Sequence, residues 1–193
     1  MSKSRSYFLN RFYESIGRIA VGYEYLEYWM REFINTLIGT DERLGKILTI
    51  PLSTRQLPEY LLALYEYRVK DEQRVESFRT LMKDVTDLIE ERHKHIHAVW
   101  FVSTKEKSIE RLRERIKTTG KRSKDRGLQL NPTKHTIIEL MDLAVKLNKT
   151  GLIMNMNMIL YIDYITDYKY QSLDQIKAEY HDKVQARSSK KSN

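Results

Sequence analysis

The chain has 193 residues, enough for one domain with a real core and too few to make two ordinary domains the first expectation. Zero cysteines exclude disulfides, thiolate zinc sites and thiol nucleophiles together and fit a reducing compartment, while seven glycines and three prolines among abundant Leu, Ile, Lys, Glu and Arg favour helix. The formal charge of +8 is unevenly spread: Lys105 to Arg126 nets +6, Lys177 to Asn193 nets +3 and the rest sums to −1, so a near-neutral body carries two basic segments, either as solvated stretches or as contacts for a nucleic acid or an anionic membrane.

Met1 to Ser6 leads into no uncharged apolar run of the signal-peptide type. The first strong element follows, because Leu9, Phe12, Ile16, Ile19, Tyr23, Leu26, Met30, Phe33 and Leu37 succeed one another by steps of three and four. This stripe predicts a long amphipathic helix that lines a bundle core or a subunit interface. Gly39-Thr40-Asp41 ends it, and Pro51 and Pro58 bracket a loosely structured passage, expected as a loop with short helical turns, with Leu44, Ile47, Leu48 and Ile50 covering one end of the bundle. A second helix is expected from about Leu57 to Arg68, with Leu61, Leu64, Tyr65 and Tyr60 as inward candidates. A third carries Val75, Phe78, Met82, Val85, Leu88 or Ile89, and then Arg92 and Ile96 at the same spacing.

After Trp100-Phe101-Val102 the helical period fails, and an extended excursion or hairpin over residues 103–130 holds the larger basic segment. Asn131 or Thr133, with Pro132 in the first turn, predicts the start of a fourth helix through Ile137, Leu140, Ala144 and Leu147, interrupted or kinked at Gly151 and resumed at Ile153, Met156, Ile159, Leu160 and Tyr164. Met154 to Met158 alternates with period two, but its helical surroundings favour helix. The most apolar window, Gly151 to Ile165, is shorter than the roughly 20 residues of a membrane span and contains Asn155, Asn157 and Asp163, so no membrane helix and a cytoplasmic location are expected. Ser172-Leu173-Asp174 predicts a last short helix to Lys183 before a disordered basic tail. The expected architecture is all-α, an up-and-down bundle of four to five helices, with one domain over 1–171 and the short helix and tail over 172–193.

The residues able to do chemistry concentrate in Glu91 to Trp100, which holds three of the five histidines. His93 and His97 are four apart and share a helix face, the spacing of a two-histidine metal clamp, yet no third ligand accompanies them and the expectation is no metal and no cofactor. A glycine-flanked serine elbow and a phosphate-cradling glycine loop are both missing. Arg92 continues the apolar stripe seven residues after Val85, so its guanidinium needs either a carboxylate, such as Glu24 or Glu27, or a phosphate. Arginine offers bidentate donors to a phosphorane, and histidine, with an ordinary pKa of about 6.5, exchanges protons near neutrality.

Arg92-His93-x-x-x-His97, at the end of a long helix and followed by an apolar pair and Trp100, resembles the signature of the HEPN domain family. The resemblance covers roughly Leu9 to Ile165 and agrees with the helical reading. It departs from the family at Ala98, where glycine is frequent, and at Val99, where some HEPN toxins carry a tyrosine for adenylylation. It implies a helical bundle, a metal-independent endoribonuclease with Arg92, His97 and His93 as catalytic residues, and a homodimer whose two motifs meet at one cleft. It also implies RNA as substrate and an antitoxin or other regulatory partner, as in toxin and phage-defence proteins. Five residues on a straight helix subtend about 140°, so Arg92 and His97 of one chain face one phosphate only if the helix ends between them or two chains cross. The basic residues Lys105, Lys107, Arg111, Arg113, Arg115, Lys117, Lys121 and Arg122 are the candidate RNA contacts. The alternative in the same fold is a non-catalytic module that binds RNA, a nucleotide or a protein.

Overall fold

Helix α1 spans Lys3–Ile38 in the computed structural model, which describes residues 3–39, 41–116 and 128–189 and the side chains of 6–39, 41–111 and 133–167. Of the nine-residue stripe along it, Phe12, Ile19, Tyr23, Leu26, Met30, Phe33 and Leu37 are buried. Helix α3 (Leu57–Arg68) begins with Pro58 in its first turn, and α4 (Glu72–Ile96) begins at Asp71, whose carboxylate accepts from the N–H groups of Gln73 and Arg74. The three helices meet through Phe33, which lies edge-on to Tyr65 and Phe78 at centroid distances of 5.9 and 5.6 Å. On α4 the buried face is Phe78, Met82, Val85 and Ile89, so Ile89 rather than Leu88 continues the core stripe. Tyr60 is half exposed and does not join the interior.

Between α1 and α3 the structure overturns one expectation. Residues Glu42–Thr49 form a short helix, α2, capped by the Asp41 carboxylate, yet Leu44, Ile47, Leu48 and Ile50 are exposed and cover nothing. The helix docks by its small face instead. Gly45 lies so close to Asn35 that a Cβ would approach its side chain to 2.6 Å, and Thr49 is buried beside it. Arg31 fixes this orientation by donating to the carbonyls of Thr49 and Leu52 while paired with Glu27 at 2.6 Å. Polar anchoring from α1 overrides the apolar pattern of this eight-residue segment.

The excursion expected after Trp100 is a three-stranded antiparallel sheet in the order β1 (Val99–Ser103), β2 (Ser108–Ile116), β3 (Leu128–His135). Asn131, Pro132 and Thr133 do not open a helix; they lie on β3 opposite Arg113, Leu112 and Arg111. Proline is compatible with an edge strand such as β3, where alternate N–H groups point away from the partner strand. The next helix, α5 (Ile137–Ser189), starts from Thr136 instead. Thr136 Oγ1 accepts from Glu139 N at 3.2 Å while Glu139 Oε2 accepts from Thr136 N at 3.0 Å, a reciprocal capping box.

Gly151 does not interrupt α5, which runs through it. It lets α1 approach, since a Cβ there would come within 2.6 Å of the Tyr25 ring, and Gly22 serves the same purpose opposite Asn148 and Leu147. Met154 to Met158 is helical, and the separate helix expected from Ser172 is part of α5, which continues to Ser189. The chain divides into two compact units, Met1–Met154 and Asn155–Asn193. Within the second unit Met156, Ile159 and Leu160 are exposed. Residues 190–193 of the expected tail lie outside the described residues. Among the described residues no helix is long and apolar enough to cross a membrane. The helical bundle expected from the sequence is thus present, with a small sheet added to it.

Candidate active site

Helix α4 ends at Ile96, and His97 is its C-terminal cap, with φ −96° and ψ 18° and its N–H donating to the His93 carbonyl at 3.3 Å. The helix therefore stops between Arg92 and His97. His93 and His97 are both exposed, and their ring centroids are 4.5 Å apart. Two imidazoles at this separation are close enough to serve one substrate, one as base and one as acid.

Arg92 turns toward α1. Its Cζ lies 3.8 Å over the centroid of the Tyr23 ring, and its Nε is buried without a hydrogen-bond partner. The carboxylate partners offered by the sequence do not reach it. Glu27 is engaged by Arg31 and by the Thr54 hydroxyl, and among the described residues Arg92 forms no ion pair. A half-buried guanidinium without a carboxylate is costly unless something anionic meets it.

His95, between the two exposed histidines, points the other way and is 3% exposed. Its Nδ1 lies 2.7 Å from the Glu91 carbonyl oxygen, which can only accept, so Nδ1 carries the proton and Nε2 the lone pair. Arg111 Nη1 lies 3.3 Å from that Nε2 and 3.4 Å from Nδ1, and of the two only Nε2 can accept from it. The His135 ring lies 5.0 Å from His95, and Trp100 stands against both while donating from Nε1 to the His95 carbonyl at 2.9 Å. Phe12 of α1 closes the cluster, 5.5 Å from Trp100. Burial pushes the His95 imidazole below the ordinary histidine value, and the Arg111 charge adds to this against the opposing bond to Glu91. Burial does the same to His135, helped by Arg111 and His95 and opposed by Glu139, whose Oε2 is 3.4 Å away. A groove of about 380 Å³ lined by Leu88, Glu91, His95, His135 and Asp142, among others, opens beside the two rings.

The basic residues separate accordingly. Lys105 and Lys107 are exposed on the β1–β2 turn, where Lys107 takes a left-handed φ of 49°. Arg111 is only 9% exposed and packs on His95, so it is no free contact for RNA; the two-residue period of β2 turns it inward beside the buried Ile109. Arg113 and Arg115 occupy β2 with side chains outside the described residues, and Lys117, Lys121 and Arg122 lie wholly outside them.

Sequence reasoning missed the inner cluster, although a signal existed. That signal lies on β2, where Arg111 alternates with the apolar Ile109; on α4, His95 stands off the stripe that Ile89 continues. Among the described residues no three His, Asp or Glu side chains converge in a way that could hold a metal ion. Fold and site together define a predominantly helical bundle bearing a small antiparallel sheet, with an arginine and two exposed histidines gathered at one helix end. Comparison with protein-family models, with curated proteins and with solved structures finds no match.

Proposed function

We propose that the chain is a metal-independent, HEPN-type endoribonuclease that acts as a homodimer, with Arg92, His97 and His93 in a composite site. The observation that carries this reading is the Arg92 guanidinium, charged and uncommitted to any carboxylate among the described residues, on the same short helix end as an exposed histidine pair 4.5 Å apart. In the proposed reaction one imidazole removes the proton of a ribose 2′-hydroxyl, whose oxygen attacks the adjacent phosphorus. The bond to the 5′-oxygen breaks, a second imidazole supplies that oxygen with its proton, and a cyclic phosphate and a 5′-hydroxyl result. Arg92 meets the charge that develops on the phosphorane. Lys105 and Lys107, exposed on the β1–β2 turn, supply phosphate contacts outside the reacting bond. A twofold dimer brings the same helix end from each subunit to one groove.

The test is incubation of the purified full chain with RNA in EDTA, beside Arg92→Ala and His97→Ala. Cleavage by wild type and its loss by at least about a hundredfold in each variant are expected, in the range of removed acid–base or electrostatic groups. Intact RNA with wild type, or equal cutting by both variants, refutes catalysis, and RNA that is bound but uncut supports the binding-module reading. Sedimentation at micromolar concentration checks the dimer.

A further inference from the structure

The geometry points to Tyr23 as the positioning residue of this site, and the inference rests on the ribonuclease reading of Arg92. An arginine that must take phosphate has two competing needs: its long side chain must be held in one place, and its in-plane donors must stay free. A carboxylate partner meets the first need and defeats the second, since it occupies the donors and cancels the charge. An aromatic face meets both, because it attracts the cation through its quadrupole and touches only the flat side of the guanidinium.

Tyr23 has this arrangement. Its ring is 7% exposed on the buried stripe of α1, and Arg92 Cζ sits 3.8 Å over its centroid. The comparison within the same chain is Tyr67, which is 72% exposed and has Arg68 and Lys70 at 5.9 and 5.7 Å. That contact is long and wet, and Arg68 is held instead by the carbonyls of Leu37 and Ile38. Arg92 has no such carbonyl contact among the described residues. Its Nε is buried without a hydrogen-bond partner, and the Tyr23 ring is the contact against which its Cζ rests.

Three variants and two readouts test this. Protons of the Arg92 side chain lie over the ring, so the Nε–H proton resonance of wild type is expected upfield of those of the other arginines. It should stay there in Tyr23→Phe, which keeps the face and loses only the hydroxyl, and return to the ordinary position in Tyr23→Leu. For RNA cleavage, Tyr23→Leu is expected to lower kcat about tenfold with KM within about twofold, because a mobile guanidinium fails mainly in the transition state. Tyr23→Phe should cut within about twofold of wild type, and Tyr23→Trp, if Leu leaves the protein unfolded by circular dichroism, should retain both signal and rate. An ordinary Arg92 resonance in wild type, or Tyr23→Leu cutting like wild type, overturns the role. Absence of cleavage by wild type sinks the ribonuclease reading and with it a catalytic purpose for Tyr23, while an upfield Arg92 signal in that same sample separates this outcome from a misplaced side chain.

Discussion

Acid should loosen the inner cluster before it touches the carboxylates of the chain. His95 and His135 are held below the ordinary histidine value by burial and by Arg111, so each resists in the native state a proton that the unfolded chain takes up below about pH 6.5. Unfolding then binds protons, and stability rises with pH across the window under pH 6.5 and is level above it. Each histidine still neutral in the native state removes up to about 1 kcal/mol between pH 6.5 and 5.5, where the unfolded imidazole goes from half to nearly fully protonated, so the pair removes up to about 2 kcal/mol, a large part of a typical 5–15 kcal/mol. The groove along both rings gives protons a way in. Urea unfolding at pH 7.5, 6.5 and 5.5 measures the slope. A double variant, His95→Gln with His135→Gln, should flatten it, and Arg111→Met should reduce it without abolishing it, because burial is the larger cause in both rings. A wild-type stability that is flat to pH 5.5, or an equal slope in the double variant, would refute the reasoning.

Three further outcomes can be checked by thermal or urea unfolding near pH 7.5. Thr136→Ala removes one half of the capping box that starts α5 and should cost about 1 kcal/mol. Gly151→Ala gains about 1 kcal/mol of helix propensity but drives a Cβ to 2.6 Å from the Tyr25 ring, so it should destabilise by about 1 kcal/mol net, and the sign should reverse in a Tyr25→Ala background. Phe33→Ala empties the junction of α1, α3 and α4 and should cost about 3–5 kcal/mol, enough to leave the protein partly unfolded at 37 °C.

How much of this was legible follows from what periodicity can and cannot carry. The α1 stripe and the α4 stripe were readable because burial on one face is what a 3.6-residue period encodes, and seven of the nine α1 positions are buried. The apolar face of α2 misled, since Gly45 and Arg31 decide its orientation and neither registers in a hydrophobic pattern. Asn131-Pro132-Thr133 offered a plausible helix start, and only pairing with β2, a contact across sequence, makes it a strand. The place of Arg92, His93 and His97 at the end of α4 was legible from their spacing, while the role proposed for them rests on the family resemblance. Arg111 and His135 were not recognised as part of a core because charge and titratability ordinarily mark a surface, and their burial depends on one another and on His95.

The two sides of the α4 terminus are physically dependent. The inner cluster ties β1, β2 and β3 to the helix through Trp100, Arg111 and His135, all of them on His95. The Trp100 bond to the His95 carbonyl satisfies a group that a helix end leaves open, and so helps fix where α4 stops. His97 is the cap residue at that end, and the bond from its N–H to the His93 carbonyl keeps it on the His93 side of the helix, where the two rings lie 4.5 Å apart. The contacts of the buried His95 and the exposed His93–His97 pair thus share one turn of α4, so a change at His95 or Trp100 reaches the helix end that carries the pair.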